Sequence, residues 1–123
     1  MLHQVAQRAT DLARAVTWYR EFLQVEPIGI FDPPGLAFFP MGETRLLLDV
    51  GAPSALLYLR VDDLAGRIDQ LRARGVTIES DPHVIFRDAA GQFGPAGEDE
   101  WMAFVRDSED NVLGLVERKP IPA

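Results

Sequence analysis

The chain contains no cysteine. That excludes disulfides, thiolate nucleophiles and cysteine-held zinc or iron–sulfur centres. Histidine is scarce, with only His3 and His83 among 123 residues, so a metal site would have to lean on carboxylates and amides. Positive charge is in deficit: 12 Lys and Arg against 19 Asp and Glu give a formal net charge of −7. Such a chain repels phosphate backbones, and nucleic acid is not an expected partner. No apolar run approaches the roughly 20 residues of a membrane span, and no basic region followed by an apolar stretch marks a signal peptide. The expectation is a cytoplasmic protein without a membrane partner. Gly91, Gly94 and Gly97 are not bracketed by a strand and a helix, so they do not form a phosphate-binding loop, and no serine-nucleophile motif is visible.

What remains is an ordinary globular composition, 47 % hydrophobic and 25 % charged, enough for one domain or two half-domains sharing a core. Its organising feature is a repeat. Asp11, Leu12, Ala13, Val16 and Arg20 recur 52 positions later as Asp63, Leu64, Ala65, Ile68 and Arg72. Each copy follows a short alternating segment and opens a helix. In the first, Thr10 or Asp11 caps a stripe of Leu12, Ala15, Val16, Tyr19, Phe22 and Leu23, while Arg14, Thr17 and Glu21 face water. In the second, Asp62 or Asp63 caps a stripe of Leu64, Ile68 and Leu71 that stops at Gly75.

Strands are expected at 2–9, 25–31, 36–39 and 43–50, with a linker at 51–54. A second set follows at 55–61, 76–79, 83–86, 101–105 and 112–117. The glycine-rich residues 88–98 read as a mobile loop, and the tail from Lys119 as loose. Residues 42–48 echo residues 109–115 at an offset of 67, so the repeat reaches both ends of a strand–helix–three-strand module.

The opening of each module and Leu59-Arg60-Val61-Asp62-Asp63-Leu64 resemble the vicinal oxygen chelate superfamily, the glyoxalase, bleomycin-resistance and extradiol dioxygenase group. Residues 106–117 resemble its closing Asp-Pro-Asp-Gly-Asn turn and strand, with Ser108 in place of the proline and Asp110 in place of the glycine. The resemblance implies an α+β fold: two βαβββ modules forming a half-open, eight-stranded mixed barrel around a cavity. It implies a single domain over 1–123, with module one at about 2–50 and module two at about 54–118. It also implies a small-molecule ligand, in many members a divalent metal, and a homodimer.

The same resemblance gives the positions where metal ligands would stand. They fall on Gln4, Leu47, Leu56 and Gly114, one weak oxygen ligand where several are wanted. His3 lies one residue off that register, which in a strand turns a side chain to the other face. The expectation is that the usual metal site is absent and no cofactor is bound. Strand parity then puts Ala6, Arg8, Arg45, Asp49, Tyr58, Arg60, Val112 and Val116 on the cavity side. Arg8, Arg45, Tyr58 and Arg60 on apolar walls suit an organic anion with a hydrophobic body. Arg60, taken as inward-pointing on a central strand, would need a partner, either a ligand or Asp49.

Other candidates carry two readings each. His83 is a base poised near neutrality or a strand-end histidine. Glu98, Asp99 and Glu100 offer an acid or base at the cavity mouth, or form a solvated acidic loop. Trp101 is a stacking surface or core, and Phe93 a contact on a closing loop. The leading function is therefore metal-independent binding of a small, anionic organic molecule by Gln4, Arg8, Arg45, Leu47, Leu56, Tyr58, Arg60, Phe93 and Gly114. The alternative is a metal-dependent lyase, isomerase or dioxygenase that recruits His3, His83, Glu100 or Glu117.

Overall fold

The computed structural model describes residues 1–123. The chain forms two compact units, Met1–Ala55 with Asp107–Asn111, and Leu56–Arg106 with Val112–Ala123. Each is a βαβββ module whose four strands make one mixed sheet.

In the first unit, β1 (Gln4–Arg8), β2 (Gly29–Phe31), β3 (Leu36–Met41) and β4 (Thr44–Asp49) lie in the order β1-β4-β3-β2. Only the β1–β4 pair is parallel. Helix α1 (Leu12–Leu23) starts where Asp11, extended at φ −121°, accepts the Arg14 N–H. It ends at Gln24 in the left-handed region, with the Gln24 N–H bonded to the Arg20 carbonyl. Its stripe of Leu12, Ala15, Val16, Tyr19 and Phe22 is buried, and the helix packs on β3 and β4. The sheet face carrying Ala37, Phe39, Leu46 and Leu48, all fully buried, supplies the other half of this core. Gln7 on that face is also fully buried; its amide bonds both the N–H and the carbonyl of Ala55, each at 2.8 Å, and so is satisfied.

Residues 107–111 complete the first unit. Asp107 accepts the N–H groups of Glu109 and Asn111 and the Tyr19 hydroxyl. Burial and the adjacent Asp107 carboxylate push the Tyr19 phenol well above its ordinary range, so it stays a neutral donor. Asn111 donates to the Arg8 carbonyl. Glu109, 4 % exposed, accepts the Asp11 N–H and the Thr10 hydroxyl, both at 2.7 Å, and a two-pronged contact from Arg14. Asp110, where the resembled turn has glycine, takes the left-handed conformation (φ 65°) that glycine adopts most readily, and Ser108 donates to Glu109.

In the second unit, β5 (Leu57–Arg60), β6 (Ile78–Asp88), β7 (Glu98–Arg106) and β8 (Val112–Pro120) lie in the order β5-β8-β7-β6, again with one parallel pair, β5–β8. Helix α2 (Leu64–Ala73) begins at Asp63, whose side chain accepts the Gly66 N–H. A Cβ at Gly66 would stand 2.3 Å from the Asp63 carboxylate, so a side chain there would force that carboxylate to shift. Glu117 closes the same helix end by accepting the Asp63 and Leu64 N–H groups at 3.1 and 3.0 Å. Leu64, Ile68 and Leu71 pack with Ala103, Val105, Leu113 and Leu115 as the core.

Several boundaries differ from the sequence reading. Residues 76–79 and 83–86 do not form two strands; one strand runs through Asp81-Pro82. It is the sheet's edge, and register shifts on either side absorb the proline's missing donor. β7 begins at Glu98, so the acidic triplet is strand, not loop. β8 runs on to Pro120, opposite Glu98, and the Ile121 N–H bonds the Gly97 carbonyl, so the tail's start is paired, not loose. β2 is only three residues long.

Glu109 generates a test. Burial alone would raise its carboxyl, but hydrogen bonds from Arg14, Asp11, Thr10 and Ser108 outweigh that and hold it at about 2, against an ordinary 4.5. A depressed carboxyl contributes stability that is fully present above pH 4.5 and lost as pH falls through about 2. Glu109→Gln is expected to lower the unfolding free energy at pH 7 by roughly 2–3 kcal/mol, measured by urea denaturation. The loss should shrink towards zero as pH is lowered across that window; a constant loss would show that the charge is not what matters.

Candidate functional site

The face of the first sheet turned away from α1 carries Gln4, Ala6 and Arg8 on β1, Arg45, Leu47 and Asp49 on β4, and Phe38 on β3, with Gln4 opposite Arg45 and Phe38 opposite Leu47. Arg45 donates from Nε to the Gln4 amide oxygen at 2.8 Å and lies 3.1 Å from His3 Nε2, and its guanidinium stands 5.4 Å from the Phe38 ring centre. His3 precedes the first paired residue of β1, so strand parity does not bind it and it reaches the side Gln4 occupies. A cavity of about 250 Å³ opens here, lined by Ile28, Gly29, Phe31, Phe38 and Arg45. Phe31 and Phe38 meet edge to face at 6.0 Å. Of these lining residues, sequence reasoning found only Arg45. Carrying the β4 parity across to β3 would have found Phe38.

Arg8 is engaged differently: its Nη2 donates to the Glu109 carbonyl at 3.3 Å, while its Nε is buried without a partner. Asp49 accepts the Gly51 N–H and does not serve Arg60.

On the corresponding face of the second sheet, pairing sets up cross-strand rows. Tyr58, Gly114 and Phe104 form one; Arg60, Val116, Met102 and His83 form the next. A Cβ on Gly114 would lie 2.6 and 2.9 Å from Tyr58 ring atoms and 3.2 Å from Phe104, so the Tyr58 ring occupies the space that a side chain at 114 would fill. Tyr58 and Phe104 meet edge to face at 6.0 Å. β5 is an edge strand, not a central one, and Arg60 is exposed. The cost of an unpaired buried charge therefore does not arise, and its guanidinium makes no hydrogen bond or ion pair within the protein. Leu56 lies just before β5 and is about half exposed.

Arg60 also borders a cavity of about 290 Å³ with Phe93, Glu98, Glu117 and Arg118. Arg118 is the hub at this end, donating to Asp88, Glu98, Glu100 and the Pro95 carbonyl. Asp88, 1 % exposed, also accepts the N–H groups of Gln92 and Phe93. Burial would raise the Asp88 carboxyl; the bonds from Arg118, Phe93 and Gln92 outweigh it and hold it at about 2. Residues 89–97 are thus pinned from both ends of the loop, where the sequence suggested mobility. Phe93 stands out from it, 68 % exposed, with its ring edge to face on Phe86 at 5.4 Å. Asp99 is buried under Arg87, whose hydrogen bonds lower its pKa. His83 is exposed, its Nδ1 2.9 Å from the Asp81 carbonyl, and Lys119 rather than a ligand covers the Trp101 ring, at 4.3 Å.

The residues do not fit the family's divalent metal. Gln4 gives its oxygen to Arg45, Leu47 and Leu56 have no donor atom, and Gly114 is covered by Tyr58. Of the substitutes, Glu117 caps α2, Glu100 binds Arg118, and His3 sits against Arg45. No three His, Asp or Glu side chains converge on a point that could hold an ion.

A family model described as the Glyoxalase/Bleomycin resistance protein/Dioxygenase superfamily matches residues 1–115. Among solved structures the chain is similar to a lactoylglutathione lyase from Agrobacterium tumefaciens, at 20 % identity and TM-score 0.71 over 95 % of this chain and 92 % of that one. It is similar to a superfamily member from Sphaerobacter thermophilus DSM 20745, at 20 % and 0.70 over 95 % and 96 %. A third, a glyoxalase/bleomycin resistance protein/dioxygenase from Alicyclobacillus acidocaldarius, gives 15 % and 0.63 over 94 % and 89 %. At these identities the likeness is one of fold. No curated protein matches.

Arg118→Ala removes the cation that Asp88 was built around. Amide exchange at Gln92 and Phe93 is expected to accelerate by about tenfold or more, read by hydrogen–deuterium exchange, while exchange in α1 stays as it was.

Proposed function

Because the chain belongs to the glyoxalase/bleomycin resistance protein/dioxygenase superfamily, we propose that it binds a small organic anion on the open faces of its sheets without using a metal. One observation carries this reading. Arg14, Arg20, Arg72, Arg87, Arg106 and Arg118 each sit against a carboxylate. Arg45 and Arg60 do not, although the chain carries a net charge of −7. Both stand instead beside aromatic and aliphatic side chains, where a charged hydrogen bond to an incoming carboxylate is worth more than in open water. Arg45 is held in place by Gln4 and faces the walls of Phe31 and Phe38; Arg60 projects beside Tyr58 and Val116. The carboxylates of Asp88, Asp99 and Glu109 are all held ionised by their partners and serve the fold, so the reading does not assign a proton-transfer step to them. A homodimer, as superfamily members often form, is part of the proposal.

Benzoate is expected to shift backbone amide resonances around Arg45 or Arg60, and benzamide, its neutral counterpart, to do so far less. Arg45→Gln and Arg60→Gln should each weaken benzoate binding at their own site by roughly tenfold. Equal binding of the two compounds, or binding indifferent to both variants, would refute the anion site. Near-stoichiometric zinc, iron, manganese or nickel retained after dialysis would instead favour a metal-dependent lyase, isomerase or dioxygenase.

A further inference from the structure

We infer that the open face of the second unit's sheet selects planar, conjugated carboxylates, with the flat body stacked on Tyr58 and the carboxylate on Arg60. The inference rests on the anion-binding reading above and narrows it to one ligand class at one place. It begins from Gly114. Any side chain there would collide with the Tyr58 ring, so the glycine leaves that ring room over β8. Phe104 meets the ring edge on at 6.0 Å and steadies it. Tyr58 is nevertheless 53 % exposed, so the ring keeps surface for a ligand beyond what the sheet and Phe104 cover.

The next row of the sheet supplies what a ligand on that face would need. Val116 and Met102 continue the apolar floor beside Gly114 and Phe104. Arg60 stands two residues from Tyr58 on the same side of β5, about 6.6 Å along the strand. Its guanidinium has no partner in the protein. Of the acidic groups that border the neighbouring cavity, Glu98 is bound to Arg118 and Glu117 to the start of α2, and Asp62, two residues along the chain, makes no ion pair with Arg60. A rigid aromatic face and a planar cation set one strand repeat apart match a ligand whose ring and carboxylate are coplanar. Offset stacking needs a flat partner, and a saturated ring meets the same face only through its hydrogens.

Three probes separate the terms in the full chain: trans-cinnamate, its saturated analogue cyclohexanepropionate, and neutral cinnamamide. Cinnamate is expected to bind tightest, with its ring protons moved upfield by the Tyr58 ring current. Tyr58→Leu, which keeps apolar bulk at an exposed position, should weaken cinnamate roughly three- to tenfold and leave cyclohexanepropionate nearly unchanged. Tyr58→Phe should bind cinnamate as the unaltered chain does. Arg60→Gln should weaken both carboxylates by about tenfold and leave cinnamamide alone. Equal affinity for cinnamate and cyclohexanepropionate, or indifference of cinnamate to Tyr58→Leu, would overturn the inference. If those results came with carboxylate binding still sensitive to Arg45→Gln, the anion-binding function would stand and only the ligand class would fall. If no carboxylate bound at all, both would fall.

Discussion

The first unit is organised around a buried carboxylate that belongs to a distant part of the chain. Glu109 lies between β7 and β8, yet it satisfies the backbone and hydroxyl donors at the start of α1, while its neighbour Asp107 receives the Tyr19 hydroxyl from the helix interior. Helix N-termini leave donors unsatisfied, and a carboxylate there answers both the missing acceptors and the helix dipole. Because residues 107–111 are contiguous with the second module's strands, the first 55 residues do not make a finished unit by themselves. The repeat in sequence is thus not a repeat of independent folding units. α2 receives the same service from Glu117, which stands in its own sheet.

That use of acidic groups reconciles a net charge of −7 with the proposed anion sites. The negative charge is largely committed. Glu109 and Glu117 serve helix starts, Asp88 and Asp107 serve loops, and Asp99 lies under Arg87. Arginine is treated in the same way where it builds the fold, Arg118 most of all. Arg45 and Arg60 sit against no carboxylate and stand on the open sheet faces beside aromatic rings. Net charge alone argues against an anionic ligand, but what a ligand meets is local, and here the local fields were set by which pairs the fold consumed.

Much of the frame was legible from residues 10–23 and their echo, because a helical stripe and a capping aspartate are local signals with a strong period. Strand parity carried that frame to Arg45, Tyr58, Arg60 and Gly114 on their proper faces. What failed was non-local. Asp81-Pro82 reads as a break, yet on an edge strand the absent N–H faces no partner and the strand continues. Residues 88–98 read as mobile because glycine and proline are visible in sequence. The Arg118 guanidinium that pins them is not, since it arrives from 30 positions away in the case of Asp88. The wall formed by Phe31 and Phe38 lies on β2 and β3, which strand parity reaches only across two non-local pairings, β4–β3 and β3–β2.

Gly114 joins these strands of reasoning. Read by itself, glycine at a family ligand position is a loss: one metal donor fewer. Read with its neighbours, it is also a condition for something else, because only a residue without a Cβ leaves room for the Tyr58 ring and its contact with Phe104. The two facts constrain each other. A carboxylate at position 114 would have to expel the aromatic ring, and Leu56 and Leu47, further positions that the resemblance gives to ligands, carry no donor atom. The metal and the proposed aromatic platform are therefore exclusive uses of one sheet surface, and these residues fit the second.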